Sequence, residues 1–81
     1  MKNITIYTKN NCAHCESAKT LLQNKGLRYQ EIDVSHDDNK LIEMVTRSKQ
    51  RTVPQIFIGD NHIGGNIDLH NYLNNTSRLA S

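Results

Sequence analysis

The sequence predicts a single α/β domain in which a four-stranded mixed sheet is flanked by three helices. Along the chain, segments rich in β-branched residues alternate with segments whose apolar residues recur at helical spacing. The first three segments run strand–helix–strand, which implies two parallel strands joined by a right-handed crossover. With 81 residues the chain has room for one core. We therefore expect one domain over residues 1–81, with an ordered core over about residues 3–75 and a short C-terminal tail that frays.

The first half of the chain is predicted to form the strand–helix–strand unit. Residues 3–8 (NITIYT) alternate in polarity and are rich in β-branched side chains, as in a strand. Over residues 13–25 small and apolar residues recur at helical spacing, and Gly26 follows where a helix commonly ends. Residues 27–34 (LRYQEIDV) are predicted to form the second strand.

The second half is predicted to add a helix, a hairpin and a last helix. Residues 35–38 (SHDD) offer capping side chains for a helix with an apolar stripe. Residues 53–58 (VPQIFI) form the most apolar run, and its proline places it at a strand start or an edge. A turn at residues 59–62 leads to a short strand that Gly64 and Gly65 end, and the last helix follows.

The composition disfavours several classes of function. The formal charge of +2, from 10 Lys/Arg and 8 Asp/Glu, is too mild for nucleic-acid binding. The one basic cluster, Arg47, Lys49 and Arg51, fits a solvated surface better than an anion site. The start of the chain lacks the apolar region of a signal peptide, and no apolar run reaches the roughly 18 residues of a membrane span. We expect a soluble cytoplasmic monomer without nucleic-acid or membrane partners.

The only two cysteines, Cys12 and Cys15, are separated by two residues at the predicted start of the first helix. A disulfide closing so short a loop restrains the unfolded chain weakly, which disfavours a structural role. A zinc site needs four ligands, and neither a second cysteine pair nor suitably spaced histidines are present. Two small buried residues are the plainer alternative. A Cys-x-x-Cys pair beside a strand–helix–strand unit is typical of a thioredoxin-like redox domain, which we favour.

The positive end of the predicted helix distinguishes the two thiols. Unpaired N–H groups and the helix dipole stabilise an anion there, and such surroundings lower a cysteine pKa from ~8.5 to ~3.5–7.5. Cys12 lies at the N-terminal end of the predicted helix, where a substrate can approach it, whereas Cys15 points back toward the body of the helix. We therefore expect Cys12 to be the nucleophile and Cys15 to be the resolving thiol.

Three stretches, TKNNCAHC, RTVPQIFIGDNHIGG and GGNIDL, occur in the order and spacing of glutaredoxins. From Ile4 to about Leu73 the chain resembles a small bacterial-type dithiol glutaredoxin. The resemblance implies a thioredoxin-like fold and a glutathione-dependent thiol–disulfide oxidoreductase that reduces protein disulfides and glutathione mixed disulfides. Glutathione would be the co-substrate, and no metal is expected. The implied partners are glutathione and disulfide-bonded or glutathionylated proteins, with ribonucleotide reductase as a frequent family partner.

The resemblance also implies a glutathione site that begins near the cysteines. Lys9 would help hold the Cys12 thiolate and the glycine carboxylate of glutathione. Thr52, Val53 and Pro54 match a family segment whose proline is cis and whose valine backbone pairs with the cysteine of glutathione as an added strand. An ordinary trans edge proline is the alternative for Pro54.

The start of the last helix would bind the other end of glutathione. Gly64 and Gly65 let a ligand approach the backbone closely. The N–H groups of Asn66 and Ile67 would bind the γ-glutamyl carboxylate, since helix N-termini commonly bind anions. Asp68 matches an acidic family residue that would meet the α-ammonium group of the ligand or cap the helix, and both interpretations stay open.

The chain departs from the family pattern at two places. Pro-Tyr usually separates the cysteines, whereas this chain has Ala13 and His14, which loosens the first turn and removes an aromatic side chain beside glutathione. Our hypothesis is that a cationic His14 lowers the pKa of Cys12 and makes the pair more oxidising. A solvent-facing histidine without a role is the alternative. Ile67 replaces a short polar or acidic residue, which would weaken glutathione recognition or offer an apolar contact to a protein substrate.

Three rival functions stay open from the sequence. One is a redoxin recharged by thioredoxin reductase, against which the glutathione-type residues argue. Another is a dimer that holds a [2Fe–2S] cluster through Cys12 and glutathione, which the loss of a proline at Ala13 would ease by loosening the loop. The third is an interaction module whose cysteine pair is idle.

Overall fold

The computed structural model describes the backbone of residues 3–80 and the side chains of residues 3–74. Within these residues, the predicted number, type and order of elements are confirmed. The elements are β1 (Ile4–Thr8), α1 (Ala13–Asn24), β2 (Gln30–Asp33), α2 (Asp38–Ser48), β3 (Gln55–Ile58), β4 (Asn61–Gly64) and α3 (Asn66–Ala80).

The strands of the described residues form one mixed sheet in the order β2-β1-β3-β4. β1 pairs in parallel with β2, as the strand–helix–strand unit requires, and antiparallel with β3. β3 then turns back into β4 as an antiparallel hairpin, with an irregular register between Ile56 and Phe57. The predicted four-stranded mixed sheet is therefore confirmed, and β1, which leads to the cysteine pair, lies inside it.

The two faces of the sheet carry separate apolar clusters. Successive side chains of a strand point to opposite faces, so Ile6 and Tyr7 of β1 enter different clusters. Ile6 packs with the apolar side chains of α1 and α3, whereas Tyr7 packs with Met44 of α2 and Phe57 of β3. The helices α1 and α3 consequently lie on one face and α2 on the other.

The second and third strands are shorter than predicted. The chain leaves α1 through a Schellman turn, in which Leu27 N donates to Leu22 O at 3.0 Å and Gly26 N donates to Gln23 O at 3.0 Å. Gly26 has φ 69° and occupies the predicted position after the helix. Because this turn uses Leu27, β2 starts only at residue 30. β3 likewise starts at residue 55, after the proline.

The start of α2 and the extent of α3 complete the description of the helices. Asp37, from the predicted capping segment, accepts the N–H of Lys40 at 3.1 Å at the start of α2. α3 runs from Asn66 to Ala80, so residues 77–80 are helical in backbone, beyond the expected end of the ordered core. The predicted fraying of the tail stays a prediction, and Ser81 lies outside the described residues. None of the helices in the described part of the chain is both long and apolar enough to span a membrane.

Candidate active site

The cysteine pair forms the start of α1. Cys12 is the N-cap residue, with φ −118° and ψ 103°. Its Sγ accepts the backbone N–H of Cys15 at 3.1 Å and so takes the place of the hydroxyl or carboxylate that usually caps a helix. The two residues are joined as a disulfide, with Cα atoms 5.2 Å apart. Both sulfur atoms therefore lie at the positive end of the helix dipole.

The two sulfur-bearing residues differ in access to solvent. Cys12 is partly exposed, whereas Cys15 has no exposed surface. Cys15 lies on the buried face of α1, one turn before Ala18 and two turns before Leu22, which both join the core. A substrate sulfur can therefore approach Cys12 more directly than Cys15.

The loop before the pair is anchored to the end of β2. Asn10 N donates to Ser35 Oγ at 2.8 Å, and Asn11 has φ 57°, a left-handed conformation that asparagine tolerates better than most residues. Ser35 N in turn donates to Asp33 Oδ1 at 2.8 Å, and the hydrogen bonds from Ser35 lower the pKa of Asp33. The sequence assigned Ser35 only to helix capping. Lys9 lies in the same loop and is exposed.

A groove of about 280 Å³ lies next to the pair. It contains His14 from the first turn of α1, the loop before β3 and the first turn of α3. All the predicted glutathione-binding residues except Lys9 line this groove. Two glutamines that the sequence analysis did not single out also line it. The lining residues are His14, Gln50, Thr52, Val53, Pro54, Gln55, Gly65, Asn66, Ile67 and Asp68.

The loop before β3 brings its backbone to this groove. The Val53–Pro54 peptide bond is cis, as the resemblance implied, so the trans alternative was wrong. The ladder between β1 and β3 begins at Gln55, opposite Tyr7. The backbone of Val53 therefore lies outside the sheet ladder, beside the groove.

The first turn of α3 forms the opposite wall. Leu69 N donates to Gly65 O at 3.0 Å, which makes Gly65 the residue that precedes the helix. Asp68 Oδ2 accepts the N–H of Gly65 at 3.0 Å, which is one half of a capping box. The capping interpretation of Asp68 is thus confirmed. Gly64 has φ 121°, and a Cβ on it would overlap the carboxylate of Asp68, so this close approach requires glycine.

Two side chains at this helix start differ in their surroundings. Asn66 Oδ1 is buried and has no hydrogen-bond partner among the described residues. Ile67 is 70% exposed, which is unusual for an isoleucine and leaves it free to contact whatever enters the groove. Their backbone N–H groups belong to the first turn of α3, where no intrahelical acceptor exists.

Other parts of the described chain offer less chemistry. A larger concavity, about 640 Å³, lies between the start of β1 and the turn after α1, and its described lining includes no cysteine, histidine or carboxylate. No three side chains of the His, Cys, Asp or Glu type lie close enough to hold a metal ion within the described residues. The cysteine pair and its groove are therefore the candidate site.

An approachable sulfur at a helix start, its buried partner one turn later and the mixed sheet beneath them define a thiol–disulfide oxidoreductase of thioredoxin-like fold. The glutaredoxin family model matches residues 4–63. Over 70 residues the chain is 49% identical to glutaredoxin 3 of Escherichia coli (strain K12), covering 86% of this chain and 84% of that protein. The chain belongs to the glutaredoxin family.

Solved structures agree with this assignment. Glutaredoxin from Brucella melitensis is 42% identical, with a TM-score of 0.78 over 99% of this chain and 86% of that chain. The buckwheat glutaredoxin–glutathione complex is 29% identical, with a TM-score of 0.82 over 93% of this chain and 71% of that chain. The family, the fold and the activity implied by the sequence are thereby confirmed, and the protein is a dithiol, glutathione-dependent thiol–disulfide oxidoreductase.

Proposed function

We propose that the groove binds glutathione, that Cys12 is the nucleophile and that Cys15 is the resolving thiol. One observation carries this proposal: the starts of two helices meet at the groove, α1 with the approachable sulfur and α3 with unpaired N–H groups. The first suits a thiolate and the second a carboxylate. The glutathione complex of the buckwheat relative supports the same ligand.

For a glutathionylated protein the chemistry needs only Cys12. Its thiolate attacks the glutathione sulfur of the mixed disulfide, and the protein thiolate leaves and takes up a proton. A second glutathione, as thiolate, then attacks the glutathione sulfur bound to Cys12. Oxidised glutathione leaves, and the Cys12 thiolate returns.

A protein disulfide requires both cysteines. The Cys12 thiolate attacks one sulfur and forms a mixed disulfide with the protein. The Cys15 thiolate then attacks the Cys12 sulfur, which releases the reduced protein and leaves Cys12 and Cys15 oxidised, as they are in this structure. Two glutathione molecules restore the dithiol, the first by forming a mixed disulfide and the second by removing it as oxidised glutathione. Two electrons pass from glutathione to the substrate.

The groove residues supply the binding contacts. The backbone of Val53 pairs with the cysteine residue of glutathione, beside Thr52 and Pro54. The N–H groups of Asn66 and Ile67, at the end of a close approach through Gly65, bind the γ-glutamyl carboxylate. Asp68 meets the α-ammonium group while it caps α3, because an ionised carboxylate accepts several hydrogen bonds. Lys9 and His14, on the α1 side, act on the Cys12 thiolate and the glycine carboxylate.

The cellular role follows from the same chemistry. We place the protein in the cytoplasm, where thiols are kept reduced and cysteine pairs are catalytic. Its proposed substrates are disulfide-bonded and glutathionylated proteins, with ribonucleotide reductase as one candidate, and the mechanism proposed above is that of a monomer.

The test compares wild type with Cys15→Ser in two glutathione-coupled assays. Reduction of a glutathionylated peptide should persist in Cys15→Ser, whereas reduction of a protein disulfide that needs dithiol release should be lost. Cys12→Ser should lose both activities. Retention of both activities by Cys15→Ser would contradict the assigned roles, and inertness of the wild type would contradict the function.

A further inference from the structure

The loop that lines one side of the groove is held by a buried amide. Gln55 opens β3, a strand whose other residues are apolar, and it is only 1% exposed. Burying a polar side chain is unfavourable unless its atoms are hydrogen-bonded. The partners of this amide therefore indicate why a glutamine occupies the position.

The amide of Gln55 is hydrogen-bonded on both of its polar atoms. Its Nε2 donates to the carbonyl oxygen of Thr52 at 3.0 Å and lies 3.2 Å from Thr52 Oγ1. The same nitrogen is 3.0 Å from Gln50 Oε1. Its Oε1 lies 2.7 Å from His62 Nε2. Because the nitrogen faces three oxygens, the amide oxygen is the acceptor for the histidine, which carries a hydrogen on Nε2.

The histidine end of this chain is fixed by the hairpin. His62 lies on β4 opposite Phe57 of β3, and the two rings pack with centroids 4.9 Å apart. The guanidinium of Arg47 covers Phe57 as well, at 4.0 Å from the ring centroid. The hydrogen-bond chain from His62 through Gln55 to Thr52 thus joins the hairpin to the loop beside the groove.

The contact to Thr52 determines where the next N–H points. In a planar trans peptide the C=O of one residue and the N–H of the following residue point in opposite directions. The Thr52 C=O is directed toward the buried amide of Gln55. The N–H of Val53 consequently points away from that amide, and Val53 itself lines the groove.

We propose that Gln55, supported by His62, is a positioning residue for glutathione. It holds the peptide between Thr52 and Val53 so that the Val53 N–H is presented to the ligand backbone. The proposal rests on the glutathione groove proposed above and adds a residue that acts through the peptide between Thr52 and Val53. It predicts a change in ligand affinity without a change in the chemistry at Cys12.

The test uses three variants and a matched control. Gln55→Leu removes both polar atoms, and Gln55→Glu keeps the shape but, when ionised, removes the donor to Thr52. His62→Phe keeps a ring on Phe57 but removes the donor to Gln55. Gln23→Leu is the control, because Gln23 donates to Tyr29 on the exposed surface, away from the groove.

The readouts are KM and kcat for a glutathionylated peptide, the pKa of Cys12 from thiolate absorbance, and thermal unfolding. Gln55→Leu and Gln55→Glu should raise KM about ten-fold, equivalent to roughly 1.4 kcal/mol. His62→Phe should raise KM about two- to three-fold, because it removes only the hydrogen bond that supports Gln55 and leaves the contact between Gln55 and Thr52 in place. In all three, kcat and the pKa of Cys12 should match wild type, and Gln23→Leu should change none of these quantities.

The outcomes separate this proposal from the proposed function. A wild-type protein that does not reduce the glutathionylated peptide contradicts the function itself. An active wild type with an unchanged KM in folded Gln55→Leu overturns the positioning role, and so does a raised KM confined to Gln55→Leu, since that pattern reflects lost packing. A shifted Cys12 pKa also overturns it. If neither Gln55 variant folds, an unchanged KM in His62→Phe overturns the proposal.

Discussion

Replacing Asp68 tests how the start of α3 combines helix capping with ligand binding. Its carboxylate accepts the Gly65 N–H at 3.0 Å, in the first turn of a helix that carries Leu69 and Leu73 into the core. Asp68→Ala removes the acceptor and the charge. Asp68→Asn keeps an acceptor oxygen of the same reach and removes only the charge. The two variants therefore separate the effect of the hydrogen bond from the effect of the negative charge.

The magnitudes follow from these two contributions. Loss of a capping side chain costs about 0.5–2 kcal/mol, and loss of a negative charge at a helix N-terminus costs about 0.3–1 kcal/mol. Asp68→Ala should thus lower stability by roughly 1–2 kcal/mol, and Asp68→Asn by under about 1 kcal/mol. In a domain of this size one kcal/mol shifts Tm by roughly 4–8 °C. We expect a fall of roughly 5–15 °C for Asp68→Ala and a few degrees for Asp68→Asn.

Ligand binding should respond to the charge. An exposed ion pair contributes about 0.2–1 kcal/mol, so both variants should raise KM for a glutathionylated peptide by about 1.4- to five-fold. The assays are thermal unfolding by circular dichroism and glutathione-coupled kinetics. A Tm of Asp68→Ala equal to wild type would refute the capping argument. A wild-type KM in Asp68→Asn would refute contact with the α-ammonium group and leave Asp68 as a cap alone.

Three further predictions follow from other contacts. His14→Tyr should raise the pKa of the nucleophilic thiol in a thiolate titration, and an unchanged pKa would refute the tuning hypothesis. Gly64→Ala should destabilise the fold by more than 1 kcal/mol in urea unfolding, because its φ of 121° and the Asp68 carboxylate exclude a Cβ; Gly26→Ala, with open space around it, is the comparison for φ alone. The hydrogen bond from Tyr7 lowers the pKa of Glu43 in the folded protein. The stability that this hydrogen bond provides is therefore present at neutral pH and is lost as pH falls below about 4.5. Glu43→Gln should flatten that part of the stability–pH curve, and an unaltered curve would contradict it.

The sequence predicted the element order because each element carries a local periodic signal. The β-branched residues in residues 3–8 predicted the strand that is found as β1, and the glycine after α1 marks the end of that helix as predicted. The starts of β2 and β3 were predicted too early for a physical reason. A strand ends where its ladder hydrogen bonds end, and that depends on the partner strand and on the Schellman turn at Leu27 rather than on local residue preference.

The supporting residues of the site were less visible than the cysteines. Gln55 lies inside an apolar run, and the neighbouring sequence does not indicate that its amide contacts Thr52 and His62. His62 is brought next to Gln55 only by the pairing of β3 with β4. Ser35 was hidden for a similar reason, since its partner Asn10 is 25 positions away in the sequence. A buried polar residue at the start of an apolar strand is the one signal that would have drawn attention to Gln55.

The capping role of Cys12 links helix stability to redox chemistry. In the disulfide form of this structure the N–H of Cys15 donates to the Cys12 sulfur, and such a hydrogen bond is stronger when the acceptor is a charged thiolate. The start of α1 therefore stabilises the reduced, ionised state more than the oxidised state, which makes the pair more oxidising and makes Cys12 a better leaving group when glutathione resolves it. Ala13 and His14 are the residues that connect the sulfur to that N–H. We therefore expect substitutions between the cysteines to act on the reactivity of Cys12 through the first helical turn.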